Sequence, residues 1–497
     1  MRRTILFIAL SVFAGVISIT SCVHKPQVQI VPANGNYPDS IANIFLTKCT
    51  NAGCHNQASY QNAAGLLLDT WEHLFQGSIS GAEVVAYSAS YSPLLYYCNA
   101  YDSADVIATD PGHLPTPLTL KEYNALKNWI ASGAPDRNGN IPFATNAATR
   151  QKIYLTVQGC DLLAVIDAKS RVVMRYIPIG DANDKSPHDV EISADGRYGY
   201  VPFYNGNYVQ KIDLLADSVT GTVNLSNVAT PGTQGWSIVA LSPLDTALLV
   251  SGWTSLGSVV AINTANMKIN SSLSIDANTG GTASFPFPHG LATNATFDTF
   301  YATLQNNVTK YAFGTTGLYQ KNIAASGQPH QIEMSPDHSK YFVTCPDPTS
   351  VTNNFVRVYD THTDTLIAAV PVGSIPQEMD ISPSKNYLFV ACMEDATNPM
   401  PGAHGSVYVI DYNTLATVKI IYGDFYQPHD ITVDEQDGLI FIPSRNANPS
   451  GPAPHHSTAC GGRSGWYSVY NLNSLAPADN KRYDVPTDAY AISARFK

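Results

Sequence analysis

The segment Cys49-Thr50-Asn51-Ala52-Gly53-Cys54-His55 places two thiols and an imidazole within seven residues. A cysteine pair followed directly by histidine can hold a haem covalently, with the histidine as an axial ligand, and the usual spacing is C-x-x-C-H. Here four residues separate the cysteines rather than two. The same side chains would also serve a local Cys49–Cys54 disulfide or part of a zinc site. The choice between these chemistries falls to the elements that flank and position the motif.

Ahead of it, Asp39 and Ser40 are N-cap types, and Ile41, Ile44 and Phe45 recur at helical spacing. After it, Thr119-Leu120-Lys121-Glu122 reads as a capping box that opens a helix. Leu120, Tyr123, Leu126 and Ile130 fall on one side of that helix, and Gly133 and Pro135 close it. A leading helix, a C…C-H loop and a closing helix ending Trp-Ile-x-x-Gly-Ala resemble a small class of bacterial c-type cytochrome domains, over residues 37–136. The resemblance implies one haem c joined to Cys49 and Cys54, with His55 as the proximal iron ligand. Such domains commonly set a methionine opposite the histidine, in a Met-Pro segment before the last helix. This chain has no methionine between Met1 and Met174, and Gly112-His113-Leu114-Pro115 stands at the corresponding place. His113 is therefore the expected distal ligand, with His73 next in line. Histidine in place of methionine should lower the reduction potential. Cys98 reads as a packed core thiol.

Length and composition set the frame for these elements. A chain of 497 residues is expected to hold more than one core. Charged residues make up only 13 %, and Gly, Pro, Tyr and small polar residues are plentiful, which suits a turn-rich, exported β protein. A formal net charge of −11 argues against binding nucleic acid or an anionic membrane surface through charge. Residues 1–21 read as a signal peptide: Arg2 and Arg3, then an apolar run to Ile19 that is short for a membrane span. The run ends Ile19-Thr20-Ser21-Cys22, which resembles the lipobox of bacterial lipoproteins. The resemblance implies lipidation of Cys22, an exported protein anchored to the outer membrane of a Gram-negative cell, and contact with the membrane through the lipid alone. Residues 22–36 then form a tether. Five further cysteines remain, Cys98, Cys160, Cys345, Cys392 and Cys460, so at least one is a thiol or a metal ligand.

Residues 137–150 read as a linker, and from 151 to 497 the chain repeats itself. Each unit opens on Pro-His or a variant, followed by an alternating strand, a Ser-Pro-Asp-like turn and an aromatic strand. Pro187-His188-Asp189, Pro329-His330-Gln331, Pro376-Gln377-Glu378 and Pro428-His429-Asp430 open clear copies, and weaker ones begin near Trp236 and Pro288-His289. Third strands end at Asp167, Asp213, Asn263, Asp360, Asp411 and Asn471, with one marker skipped near Phe313, which gives seven units. The last copy, from Pro486, lacks its end and the first, from Lys152, lacks its start, so pairing the two closes a ring. The repeat resembles the seven-bladed propellers of the YVTN, lactonase-like and haem-d1 superfamily. The expected fold class is thus multidomain: a small all-α cytochrome c domain followed by an all-β seven-bladed propeller.

In such a ring the starts of first strands and the loops between second and third strands share a face. His188, His289, His330 and His429 would meet there, at the central channel. His404, His455, His456, Cys160, Cys345, Cys392 and Cys460 would lie around the same mouth. The four strand-start histidines fit a structural repeat element. His429 with His455, His456 and Cys460 forms a candidate metal site, for copper or another metal suited to imidazole and thiolate. Nitrous oxide reductases and haem-d1 nitrite reductases are precedents for propellers that carry redox centres. The expected function is electron relay between the haem and a substrate or metal centre on the propeller mouth, or a redox partner protein. Two alternatives stand beside it: a non-catalytic docking module with the haem as simple carrier, and a lactonase-like hydrolase, for which no carboxylate pair or activated nucleophile is evident.

Overall fold

A computed structural model of the chain describes residues 33–99, 113, 117–181, 185–228, 235–255, 257–274, 286–313, 319–324, 327–445, 460 and 465–497. Cys22, His455, His456 and the immediate neighbours of His113 lie outside the described residues.

From Lys152 onward the strands form seven antiparallel sheets of four, and the chain is a seven-bladed all-β propeller. Its blades follow the repeat. In blade 5, for example, Ile332–Met334, Lys340–Cys345, Phe355–Asp360 and Leu366–Pro371 pair in sequence order. The residue that ends each third strand does so for a local reason. The carboxylate of Asp213 accepts hydrogen bonds from the amides of Leu215 and Ala216, Asp360 does the same for His362 and Thr363, and Asp411 for Asn413 and Thr414. A short polar side chain that bonds the amides two and three residues on forces the strand into a turn. Alternating Val, Ile and aromatic residues on these strands fill the space between blades, with Phe342, Leu388, Val390 and Phe389 fully buried.

Closure occurs in blade 1. Ala489–Ala494 is its inner strand and pairs with Lys152–Val157, while Leu162–Asp167 and Val173–Pro178 complete the sheet. Neighbouring blades are also tied across the channel by side chains. Asp189 Oδ2 accepts from Val239 N at 2.9 Å, Asp380 Oδ2 from Val433 N at 2.8 Å and Asp430 Oδ2 from Ile492 N at 2.7 Å.

The segment ahead of the propeller contributes short helices, Asp39–Ile44, Trp71–Leu74, Pro93–Cys98 and Leu120–Ala131, around a core of Tyr37, Phe45, Leu126, Trp129 and Ile130. Leu120–Ala131 carries the expected capping box, with Thr119 Oγ1 accepting from Glu122 N at 3.3 Å and the Glu122 carboxylate accepting from Thr119 N at 2.7 Å. Two expectations need correction. Pro38 is the N-cap of the first helix, with extended backbone at ψ 143°, and Asp39 is its first residue; a proline there loses nothing, since an N-cap N–H has no partner within the helix. Leu120 is exposed, since the first turn of its helix overhangs the core.

This segment rests on the seam of the ring. The amides of Arg482 and Asp484 in blade 7 donate to the carbonyls of Ile79 and Ser80. Val85 packs into the cluster that joins blades 7 and 1, and Arg175 of blade 1 lies over the Tyr87 ring at 4.9 Å.

Candidate functional site

The Cys-His loop is built by the helix that precedes it. Asp39–Ile44 runs into one wider π turn, Phe45–Cys49, whose close is the bond from Thr50 N to the Phe45 carbonyl. The chain then turns tightly, with Cys54 N donating to Asn51 O at 3.0 Å and Gly53 at φ +84°. His55 N reaches back to the Cys49 carbonyl, also at 3.0 Å. The two additional residues are therefore taken up as a turn, and the backbones of Cys49 and His55 still meet across them. Asn56 pins that turn by donating to the carbonyls of Thr50 and Asn51.

Within this loop Cys49 is buried, Cys54 is partly exposed, and both are thiols. Burial, then the neighbouring Cys54, pushes the Cys49 thiol up to about 12. The ring of His55 is oriented by its Nδ1, which stands 3.1 Å from the Leu66 carbonyl, and by a further contact with the Ala63 carbonyl. Desolvation lowers the pKa of His55, with His113 adding to the effect, so the imidazole is held neutral. The ring of His113 faces it with centres 6.0 Å apart, and Tyr97 lies 5.2 Å from His113 on another side. That spacing accommodates one metal ion bound through a nitrogen of each ring, metal–nitrogen bonds being about 2.0–2.1 Å. His73 is engaged elsewhere, its Nδ1 2.6 Å from Asp69 Oδ1.

The second cluster lies in the propeller channel. The four strand-start histidines converge there. Ring centres are 5.7 Å apart for His188 and His289, 3.8 Å for His289 and His330, and 6.1 Å for His330 and His429. Tyr490 joins them from blade 1, its hydroxyl 3.1 Å from His188 Nε2 and its ring stacked on His429 at 3.8 Å. Beneath Tyr490 lies a fully buried pair: Arg445 Nε and Nη2 donate to the two carboxylate oxygens of Asp488 at 2.7 and 2.9 Å.

Above the histidines opens a cavity of about 680 Å³, walled by Tyr204, Trp253 and Phe287, with His289, His330 and Gln377 toward its base. On the other side of the channel a cavity of about 250 Å³ is lined by Asp189, Glu191, Glu333, Glu378 and Asp430, with Lys497 among them. Burial raises the carboxyls of this second ring, Asp189 to about 6, Glu333 to about 7 and Glu191 to about 8.

One proposed metal ligand is corrected. Cys460 is joined to Cys160 in a disulfide, with Cα atoms 4.5 Å apart, and a disulfide sulfur has no thiolate to offer a metal. Both residues lie at the mouth, one from blade 1 and one from blade 7, which is what brings them together. His429 is buried in the channel beside Tyr490 rather than at the rim. His404 is at the rim, bonded to Glu394 at 2.9 Å. Cys345 and Cys392 are buried at second strands and Cys98 in the helical core, all as thiols. Sequence reading missed Arg445–Asp488 and Glu378. The trace of Glu378 in the sequence was Gln377-Glu378 standing where blades 2 and 7 have His-Asp.

No protein-family profile matches the chain. Over 81 residues it is 31 % identical to Antigen Lp49 of Leptospira interrogans serogroup Icterohaemorrhagiae serovar copenhageni (strain Fiocruz L1-130). That match takes in 14 % of this chain and 18 % of the relative, so the chain spans less than a fifth of the curated relative's length. Among solved structures, a chain of Kuenenia stuttgartiensis hydrazine synthase aligns at TM-score 0.45 and 15 % identity, covering 58 % of this chain and 77 % of that one. A likeness at this level says nothing of chemistry, and the propeller assignment stands on the seven closed sheets.

Proposed function

We propose that the chain is an exported, lipid-anchored haem protein. Residues 37–136 act as a c-type cytochrome domain that exchanges single electrons with a redox partner protein or with a small-molecule substrate at the propeller mouth. The observation that carries this reading is the facing pair of imidazoles beside two thiols: His55, oriented by the Leu66 carbonyl, and His113, ring centres 6.0 Å apart. One haem c would be held by Cys49 and Cys54 and ligated by His55 and His113. When bound, it supplies one-electron redox chemistry at the low potential that two histidine ligands favour. The chain's own contribution is to orient His55 against the Leu66 carbonyl, to keep its imidazole neutral by burial, and to hold Cys49 buried beside it.

The Cys160–Cys460 disulfide supports an oxidising compartment, in keeping with export and anchoring at Cys22 in an outer membrane. The aromatic cavity over the channel histidines supports a binding role for the propeller.

The test is covalent haem. Protein made in a bacterium with a haem-attachment system should keep its haem stain after denaturation, and Cys49→Ala/Cys54→Ala should lose it. His113→Ala should convert a low-spin spectrum to a high-spin one. Colourless denatured wild-type protein overturns the reading.

A further inference from the structure

We propose that His289, His330 and Glu378 bind one first-row divalent transition-metal ion at the waist of the propeller channel. One nitrogen from each imidazole and one carboxylate oxygen all lie within 4.8 Å of one another. Around a tetrahedral ion with bonds of about 2.0–2.1 Å, ligand atoms stand roughly 3.3 Å apart, so side-chain rotations of about an ångström close the set. The three residues come from the inner strands of blades 4, 5 and 6 or from the turns that lead into them, the most rigid part of the ring.

Two observations point to a ligand rather than to structural bonding. His289 is 6 % exposed and Glu378 5 %, yet neither ring nitrogen of His289 nor Oε1 of Glu378 makes a hydrogen bond of good geometry among the described residues, and the His330 carbonyl that the His289 ring approaches already accepts from Gly290 N and Thr303 Oγ1. Buried polar atoms without partners are rare, and a missing ion is one of the few reasons for them. The second observation is why Glu378 is available. In blades 2 and 7 the residue after the histidine, Asp189 or Asp430, ties the next blade by accepting an amide. In blade 6 Asp380, two residues further along the strand, makes that tie instead, to Val433 N. The Glu378 carboxyl therefore bonds no amide of the next blade; it is bonded by the Gln331 side chain, and its Oε1 stands 3.9 Å from His330 Nδ1.

Two imidazoles and one carboxylate suit zinc, iron(II), copper(II) or nickel, and discriminate against calcium and magnesium, which demand more oxygen ligands. Three protein ligands leave at least one coordination position open. It would face the cavity walled by Tyr204, Trp253 and Phe287, where a small ligand could reach the ion. The site lies on the propeller and does not depend on haem at the Cys-His loop.

The experiment is calorimetric titration of the chelator-stripped 497-residue chain with Zn²⁺, with Mg²⁺ as control. One Zn²⁺ per chain should bind, raising the thermal midpoint, and Mg²⁺ should not. Glu378→Gln and His289→Gln keep side-chain volume near that of the original. Each should weaken Zn²⁺ binding by roughly a hundredfold or more, beyond the about 10–100-fold of a change outside the ligand sphere. Circular dichroism confirms that both variants fold, and should one fail to, the other decides. Zn²⁺ binding no tighter than Mg²⁺, or Zn²⁺ binding unchanged in the folded variants, overturns the proposal.

Discussion

Two charges with no exposed surface stabilise the channel wall only as long as both are present. Arg445 and Asp488 are each 0 % exposed and bonded in parallel through Nε and Nη2. Removing one partner leaves the other buried and uncompensated, which costs about 3–5 kcal/mol. Asp488→Asn should therefore lower the denaturation free energy by about that amount. Arg445→Met/Asp488→Asn, which removes both charges and keeps at 488 a residue that tolerates the φ of +69°, should recover part of the loss, and a chemical-denaturation cycle over the four proteins measures both. Glu191 titrates in the same channel, facing Lys497, Asp189, Glu333 and Asp380, and burial raises it to about 8. A raised carboxyl favours the protonated native state. Its stabilising contribution is therefore complete below the unfolded value of about 4.3 and lost as pH rises through the folded one. The thermal midpoint should fall between pH 5 and 8, and Glu191→Gln should flatten that slope. A wild-type midpoint that rises over this window contradicts the assignment. Of the candidate site, the loop Cys49 to His55 and the strand-start histidines were legible because each is a local sequence pattern. Glu378 was not, because its role differs from that of Asp189 and Asp430 only through the bond of Asp380 to Val433 N in the next blade, a contact between strands rather than within one.

At the scale of elements, local signals proved most readable. Thr119 and Glu122 cap the helix Leu120–Ala131 by bonds that span three residues, and the Asp and Asn markers end third strands by bonds of two or three. No distant contact is needed for either, so a single sequence suffices. The cap of the first helix was misplaced by one residue because Pro38 fills the position without a side-chain bond. Gly133 shows how an element's end can matter to its neighbours. It adopts φ +102°, and a β-carbon there would meet the Tyr87 ring at 2.6 Å, the same ring that lies under Arg175 of blade 1. Gly133→Ala should lower stability by more than the roughly 1 kcal/mol of backbone strain alone. It should also loosen the helical segment from the propeller, seen as faster proteolysis ahead of residue 150. Unchanged midpoint and cleavage rate would show that Tyr87 yields freely.

The whole molecule is held at one seam by three independent ties. Ala489–Ala494 pairs with Lys152–Val157, Cys160 is bonded to Cys460 across 300 residues, and Ile79 and Ser80 accept amides from blade 7. The strand pairing was legible because the repeat began and ended on complementary halves. The disulfide was not, since any two of the remaining thiols were equally eligible until the ring brought blades 1 and 7 side by side. Cys160→Ser/Cys460→Ser should lower stability by about 2–4 kcal/mol. Reductant should depress the wild-type midpoint and leave the variant's unchanged, and equal sensitivity of the two to reductant contradicts this. The seam also bears on how a cell makes the protein. Because blade 1 takes its inner strand from Ala489–Ala494, six blades can be finished while the first still presents Lys152–Val157 as an open edge. A ribosome that stops before codon 489 releases a chain with that edge unpaired, ready to seize another strand. Only a chain that reaches Ala494 can cover that edge, so a truncated copy carries an open strand on which aggregation can start.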